Sequence, residues 1–303
     1  MSAYWNARTK LYKEAAMIKN KSNVEKIDKN LWFTEEEKNN YKINYRINNI
    51  TFDDCSSYQH IMIADSPDFG PMLILDGVVQ TTSADGFIYN EMLAHIPMCS
   101  HPDPKKILIV GGGDCGVARE IAKYPCVEKI DMVEIDEMVV KACKEHLKEV
   151  SGNLNDKRVN FIYADGIKYV KECRDKYDVV IIDSSDPVGP AVELFSMDFY
   201  NNISNILKDD GIFACQSESP IFYADEMKDI FIKLSDIYNE VKVCTAVVPT
   251  YPGGLWSFTI GSKESINTKP ERLCGDNQYV NAGILKSCFY LPEFVNKALG
   301  AGL

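Results

Sequence analysis

The chain reads as an α/β protein: a small antiparallel β unit, then a larger domain built on a mainly parallel, doubly wound sheet. Three observations predict this. Between residues 41 and 82 short apolar runs are separated by turn residues; from residue 106 onward apolar runs alternate with longer amphipathic stretches; and the first of these later runs leads straight into a glycine-rich turn. With 303 residues, 46% hydrophobic and 25% charged, the chain can bury one large or two modest cores, which excludes disordered, collagen-like and disulfide-scaffold classes.

In chain order, the first thirty residues are polar and Lys-rich, with a helical pattern around Ala7–Lys19. YKINYRINNITF, YQHIMIA and PMLILDGVVQTT read as strands, parted by turns such as Asp65-Ser66-Pro67-Asp68 and Phe69-Gly70-Pro71. Ser83 is placed to cap a helix through IYNEMLAHIPM, with Ile88, Met92, Leu93 and Ile96 on one face, ending by the Pro-rich HPDPKK. The domain boundary falls there, dividing residues 1–100 from 101–303. Beyond it KILIV, KIDMVEI, RVNFIYA, YDVVIID and GIFACQS are strands alternating with helices, EMKDIFIKLSDIY is helical, and EVKVCTAVV and LWSFTIGS complete the sheet. Continuous apolar strands need cover on both faces, and the ligands of such sheets sit beyond the strands' carboxyl ends.

Lys+Arg 33 against Asp+Glu 44 gives a formal net charge of −11, a balance that repels phosphate backbones and anionic lipid, so neither nucleic acid nor membrane is expected as a partner. The N-terminus lacks the apolar core of a signal peptide and no apolar run approaches membrane-spanning length. The ten cysteines are scattered singly, without Cys-x-x-Cys or paired histidine spacing; no metal site is expected, and the thiols read as reduced residues of a cytoplasmic protein. His60 and His95 read as surface or satisfied polar residues.

The first later strand, Lys106–Val110, opens into Gly111-Gly112-Gly113-Asp114-Cys115-Gly116, so Gly111-x-Gly113-x-x-Gly116 stands in strand-turn-helix context. The second strand ends in Glu134-Ile135-Asp136, a carboxylate about 20 residues on, where it can accept both ribose hydroxyls. The third ends in Ala164-Asp165-Gly166, where Asp165 serves either an adenine amino group or a helix cap. The glycines suit a nicotinamide cofactor or an S-adenosyl compound equally. Asp114 favours the second, because a carboxylate in the loop repels a pyrophosphate and attracts an ammonium.

The fourth strand runs into Asp183-Ser184-Ser185-Asp186-Pro187, adding two acids to the same cleft. Several carboxylates around an adenosyl sulfonium, without a Cys-His pair or Lys base, suit transfer of a carbon group to a cationic amine. A primary ammonium titrates near Lys, so freeing its lone pair at neutral pH costs roughly 4–5 kcal/mol. A positioned carboxylate recovers part of that as general base.

At these residues the sequence closely resembles the spermidine synthases, aminopropyltransferases that make spermidine from putrescine and decarboxylated S-adenosylmethionine. The similarity runs from Leu31-Trp32-Phe33-Thr34-Glu35 to Leu291-Pro292-Glu293-Phe294. Besides the segments above, it is carried by Tyr58-Gln59, Leu75-Asp76-Gly77-Val78-Val79-Gln80, Tyr89-Asn90-Glu91-Met92, Gln216-Ser217-Glu218-Ser219 and Pro249-Thr250-Tyr251-Pro252-Gly253-Gly254. The resemblance implies a methyltransferase-like Rossmann domain, a homodimer, and catalysis with no prosthetic group or metal. It implies that Gln59 and Glu134 hold the ribose, Asp165 and Gly166 the adenine, Gly111 and Gly113 the nucleoside's approach, and Asp114 with Gln80 the aminopropyl ammonium. Asp183, helped by the Tyr89 hydroxyl, takes the proton from putrescine, and Asp186, Gln216, Glu218 and Tyr251 receive the far ammonium, with Asn90 beside them. 5′-Methylthioadenosine leaves, and the 184–190 segment gates the site.

Four departures bear on binding. Cys115 stands where the family has glycine, so binding weakens if that position needs positive φ or touches the ligand. Asn90 is shorter than the usual Gln or His, Gly86 replaces an acidic residue, and the Trp-Pro-Gly element of many eukaryotic members is absent near residue 40. Trp32 and Trp256 are either channel walls or core. Three alternatives stay open: a putrescine N-methyltransferase using S-adenosylmethionine, whose carboxylate would face Asp114; formation of spermine or thermospermine from a longer amine; and a silent polyamine- or nucleoside-binding protein.

Overall fold

Two antiparallel sheets open the chain. β1 (Val24–Ile27), β2 (Asn30–Lys38) and β3 (Tyr41–Ile47) form one; β4 (Asn49–Cys55), β5 (His60–Ser66), β6 (Gly70–Leu75) and β7 (Val78–Thr82) form the other. The computed structural model describes residues 23–38, 41–152, 154–185 and 189–300; the helix expected around Ala7–Lys19 lies outside these. β1 and β2 precede every strand expected from the sequence. Their hairpin turns at Asp28 and Lys29 with φ of 47° and 71°, a geometry usually signalled by Asn or Gly, and β2 carries three glutamates, so neither turn nor strand announces itself. The run YKINYRINNITF, read as one strand, splits at Asn48 into β3, which pairs with β2, and β4, which pairs with β5.

Strands β5 and β6 of the second sheet are buried on both faces, while β4 is largely exposed. Met62, Ala64, Met72 and Ile74 pack on Phe33, Tyr45 and Ile47 of the first sheet. From the opposite face Ile61, Ile63 and Leu73 meet Val139, Ala142, Cys143, Leu147 and Val150 of the larger domain. Each such side chain contributes about 1.5–3 kcal/mol on burial, so the β unit is held firmly over the larger sheet's edge.

α1 (Gly86–Ser100) follows, buried along its length except at Phe87. Its N-cap is Asp85 rather than the expected Ser83, whose hydroxyl donates to Phe69 O in the preceding turn. The helix packs on α2 (Gly116–Ala122) and on the larger sheet. The expected alternation then runs through β8 (Lys106–Gly111), β9 (Lys129–Glu134), α3 (Glu137–His146), α4 (Lys148–Ser151), β10 (Val159–Tyr163), α5 (Gly166–Glu172), β11 (Tyr177–Asp183), α6 (Met197–Ile206), β12 (Leu207–Gln216), α7 (Ala224–Ser235), β13 (Glu240–Val247) and β14 (Leu255–Ser262). α8 (Ala282–Ser287) and α9 (Glu293–Leu299) close the described chain, and Glu91 of α1 pins the segment before α8 by accepting the N–H groups of Gln278, Tyr279 and Val280.

The sheet order is β10-β9-β8-β11-β12-β14-β13; the first five strands are parallel and β13–β14 form an antiparallel edge. Ile107, Ile109, Val179 and Ile181 face α1, while Leu108, Val110, Val180 and Ile182 face Phe199, Tyr200 and Ile203 of α6. Strands β8 and β11 adjoin at the sheet's centre, so the glycine loop and Asp183 emerge side by side.

Candidate active site

A cavity of about 490 Å³ lies where the carboxyl ends of β8–β11 meet the β5–β7 layer. The glycine loop shapes its floor. Gly111 has φ +88°, and a Cβ there would fall 2.1 Å from the Asp183 carbonyl oxygen, the same oxygen that accepts the Gly112 N–H at 2.8 Å. The loop is glycine because β8 and β11 approach each other, and that approach sets the Asp183 carboxylate over it. Cys115 does take a left-handed conformation (φ 66°), but its side chain is fully buried in the core and does not line the cavity. The position therefore takes positive φ without lining the cavity.

Six acids line the cavity, Glu35, Asp76, Asp114, Glu134, Asp165 and Asp183, and no Lys or Arg among the described residues joins them. Asp183 Oδ1 accepts the Tyr89 hydroxyl at 2.8 Å. Asp114 Oδ1 accepts the Gly116 N–H at 2.8 Å, and Glu134 Oε1 the Asp136 N–H at 2.9 Å. Burial pushes Asp183 well above the usual carboxylate range, and repulsion from Asp114 and Glu134 adds to it against the Tyr89 hydrogen bond. Burial likewise raises Asp114, with the Gly116 amide and Asn90 working the other way, and lifts Glu134 to about 7.

Gln59, Gln80, Tyr89, Gly111, Gly113, Asp114, Glu134, Asp165, Gly166, Asp183, Gln216 and Tyr251 all reach the cavity wall. Asp165 is a helix cap, its Oδ1 accepting Ile167 N–H at 2.9 Å, and it also lines the cavity. Gln59 Nε2 donates to Asp136 Oδ2 at 3.0 Å, tying the β unit to the cap of α3. Gln216 Oε1 accepts the Glu218 N–H at 2.9 Å. The Tyr251 hydroxyl donates to Gln80 O at 2.6 Å, and its ring meets Tyr89 and Trp256 edge-on at 5.8 and 4.7 Å.

Two expected residues do not reach the wall, and Asp186 lies outside the described residues. Asn90 is one position past Tyr89 on α1 and so points about 100° away, against Gly116, where a Cβ would fall 2.0 Å from its Nδ2. Glu218 is fully buried with φ 71°, a turn that takes its side chain off the Gln216 face. The sequence reading assigned no role to Glu35, Tyr58 or Asp76. Glu35 is buried on β2, two residues past the apolar run Leu31–Phe33, in the segment that opens the family resemblance. Trp256 is both core and wall; Trp32 lies elsewhere, beside Ile27 and Asn44. His95 is satisfied by Tyr124 and Glu120, and His60 pairs with Asp53 at the surface. The one cluster of potential metal ligands among the described residues, His101, Asp178 and Asp210, sits at the opposite end of β11 from Asp183, with Lys208 Nζ 2.6 Å from Asp178.

Residues 86–270 match the model of the spermine/spermidine synthase domain, and residues 31–83 that of the spermidine synthase tetramerisation domain. The chain belongs to the spermine/spermidine synthase family. The polyamine aminopropyltransferase of Desulforudis audaxviator is 43% identical over 268 residues, 88% of this chain and 98% of that one. That of Clostridium tetani is 44% identical over 277 residues, 90% and 99% of the two chains. Among solved structures, a spermidine synthase in complex with the transition-state analogue AdoDATO superposes with TM-score 0.87 at 35% identity, covering 95% of this chain and all of that one. The Thermotoga maritima spermidine synthase gives 0.83 at 35%, covering 89% and 95%. In this spermine/spermidine synthase family member, Gly86 has a packing reason: a Cβ there would fall 2.2 Å from Thr81 Oγ1.

Proposed function

We propose that the protein transfers the aminopropyl group of decarboxylated S-adenosylmethionine to putrescine, giving spermidine and 5′-methylthioadenosine. The observation that carries this is the cavity lined, among the described residues, by six acids and no Lys or Arg, a charge pattern that selects a dication beside a sulfonium-ammonium cosubstrate. Gln59 and Glu134 hold the ribose, Asp165 and Gly166 the adenine, and the loop at Gly111 and Gly113 lets the nucleoside approach. Asp114 with Gln80 receives the aminopropyl ammonium. Asp183, oriented by Tyr89, takes a proton from the attacking amine; the nitrogen lone pair then forms the bond to the propyl carbon as the carbon–sulfur bond breaks and its electrons return to sulfur. Gln216 and Tyr251, with Asp186, receive the far ammonium. Glu218 acts through the amide that holds Gln216, and Asn90 through its packing on Gly116, whose N–H Asp114 accepts.

The sulfonium is already an activated leaving group, so the reaction asks nothing of a prosthetic group or metal. Intact S-adenosylmethionine is disfavoured because its carboxylate would face Asp114 where no Lys or Arg among the described residues meets it. We place the protein in the cytoplasm, on its unpaired cysteines and because no helix among the described residues is long and apolar enough to cross a membrane. We read it as a homodimer at the least, and a light-scattering mass of one chain would overturn that.

The test is incubation with putrescine and decarboxylated S-adenosylmethionine, with intact S-adenosylmethionine and spermidine as parallel substrates, followed by mass spectrometry. Spermidine that disappears in Asp183→Asn supports the transfer and its base. N-methylputrescine overturns the reading in favour of a methyltransferase, and binding of 5′-methylthioadenosine without turnover in favour of a silent homologue.

A further inference from the structure

We propose that Asp85, which does not line the cavity, is a positioning residue that fixes the amine-side wall and thereby the length of diamine accepted; this rests on the amine placement given above. Asp85 is buried, 3% exposed, immediately before α1. Its Oδ1 accepts the Thr82 hydroxyl at 2.6 Å, and its Oδ2 accepts both the Thr250 N–H at 2.8 Å and the Thr250 hydroxyl at 2.7 Å. The Thr250 carbonyl in turn accepts the Tyr45 hydroxyl at 2.8 Å. Every polar group of Thr250 is therefore held, and the next residue is Tyr251.

One carboxylate thus joins three segments that meet around the amine end: the exit of β7 two residues after Gln80, the start of α1 one turn before Tyr89, and the loop carrying Tyr251. The loop needs such a clamp. Gly253 and Gly254 both have positive φ, and glycine leaves the backbone its widest choice of alternatives. Clamped, Tyr251 stands edge-on to Tyr89 and reaches Gln80 O, so the spacing between the base-bearing wall and the far wall is set by Asp85. The ribose and adenine residues lie on other strands and share none of these bonds.

Carboxylate chemistry is specific here, because three donors converge on two acceptor oxygens. Asparagine keeps one acceptor: with that oxygen turned to Thr250, its N–H2 group faces a Thr82 hydroxyl oxygen that already accepts the Ala84 and Asp85 N–H groups at 3.3 Å, so the Thr82 bond is weakened, and with the amide reversed the Thr250 N–H is opposed. Thr250→Val removes only the hydroxyl bond and leaves the N–H in place, a milder form of the same lesion.

The experiment is steady-state kinetics of the full chain, wild type, Asp85→Asn and Thr250→Val, with 1,3-diaminopropane, putrescine and cadaverine, alongside calorimetric titration of the three diamines. Asp85→Asn is expected to raise the putrescine KM about tenfold and to lower the preference for putrescine over cadaverine about fivefold, with the cosubstrate KM, which depends on the clamp only through Gln80, rising by clearly less. Thr250→Val shifts the same quantities in the same direction by less, and Thr250→Ser behaves as wild type. Unchanged diamine selectivity in Asp85→Asn overturns the proposal, as does a parallel rise of both KM values with a lowered Tm. Should Asp85→Asn not fold, unchanged selectivity in Thr250→Val overturns it. A wild type that binds diamines with the expected length preference yet makes no spermidine defeats the transferase reading and leaves this one standing.

Discussion

Asp183 and Glu134 carry opposite burdens at the same kind of site. In the proposed transfer, Asp183 gains as base from being raised toward neutrality, since the proton transfer is then less uphill; Asp183→Asn is expected to lower kcat by about 10²–10⁴-fold, measured at saturating substrates. For Glu134, burial opposes the charged form in the fold. Its folded pKa is above the unfolded one, so the native state binds the extra proton and its contribution to stability is full below about pH 4 and is lost as pH rises to about 7. Glu134→Gln, which keeps the shape and the acceptor for Asp136 N–H, is therefore expected to raise stability at pH 8 by on the order of 3 kcal/mol while weakening cosubstrate binding. Urea melts at pH 5 and pH 8 check this: a gain at both, or at neither, would contradict the assignment. Cys115→Gly relieves left-handed strain of about 1 kcal/mol and leaves cosubstrate KM within about twofold, because the thiol faces the core.

Elements explain which parts of this site could be read in advance. The glycine loop, Glu134, Asp165 and Asp183 each end an apolar strand and start a turn, so their places follow from strand boundaries, which continuous runs such as Lys106–Val110 mark well. Tyr89, by contrast, was legible through resemblance, and its neighbour Asn90 was misplaced because one helical step separates cavity from core. Glu35 was unreadable for a deeper reason: its strand is entered by a turn of Asp28 and Lys29, residues that rarely signal positive φ. The same scale governs Gly86. Gly86→Glu is expected to cost about 1–3 kcal/mol by driving Cβ into Thr81, and Thr81→Ala should restore much of that, a coupling that a double-mutant cycle of thermal melts would show. Additive losses would mean that the helix start, rather than Thr81, resists the larger residue.

Across the whole molecule, a net charge of −11 is spread over the surface, yet its consequence for function is concentrated in one cavity where burial keeps carboxylates from ionising freely. Cationic ligands change that balance. When a sulfonium and an ammonium enter, the charged forms of Asp114, Glu134 and Asp183 are favoured, their pKa values fall, and protons leave to solvent. Below about pH 8 the protein alone holds more protons than the complex, so cosubstrate affinity should rise with pH and level off once both Glu134 and Asp183 have ionised. 5′-Methylthioadenosine has the same nucleoside but no positive charge, and its binding should be nearly independent of pH. Titration calorimetry in two buffers of different ionisation enthalpy separates the cases: roughly one proton released per decarboxylated S-adenosylmethionine at pH 7, and close to none for the product. Equal release for both would place the proton on the nucleoside contacts. No release for either would mean that the carboxylates are already ionised, and Asp183 would then meet putrescine as a far weaker base.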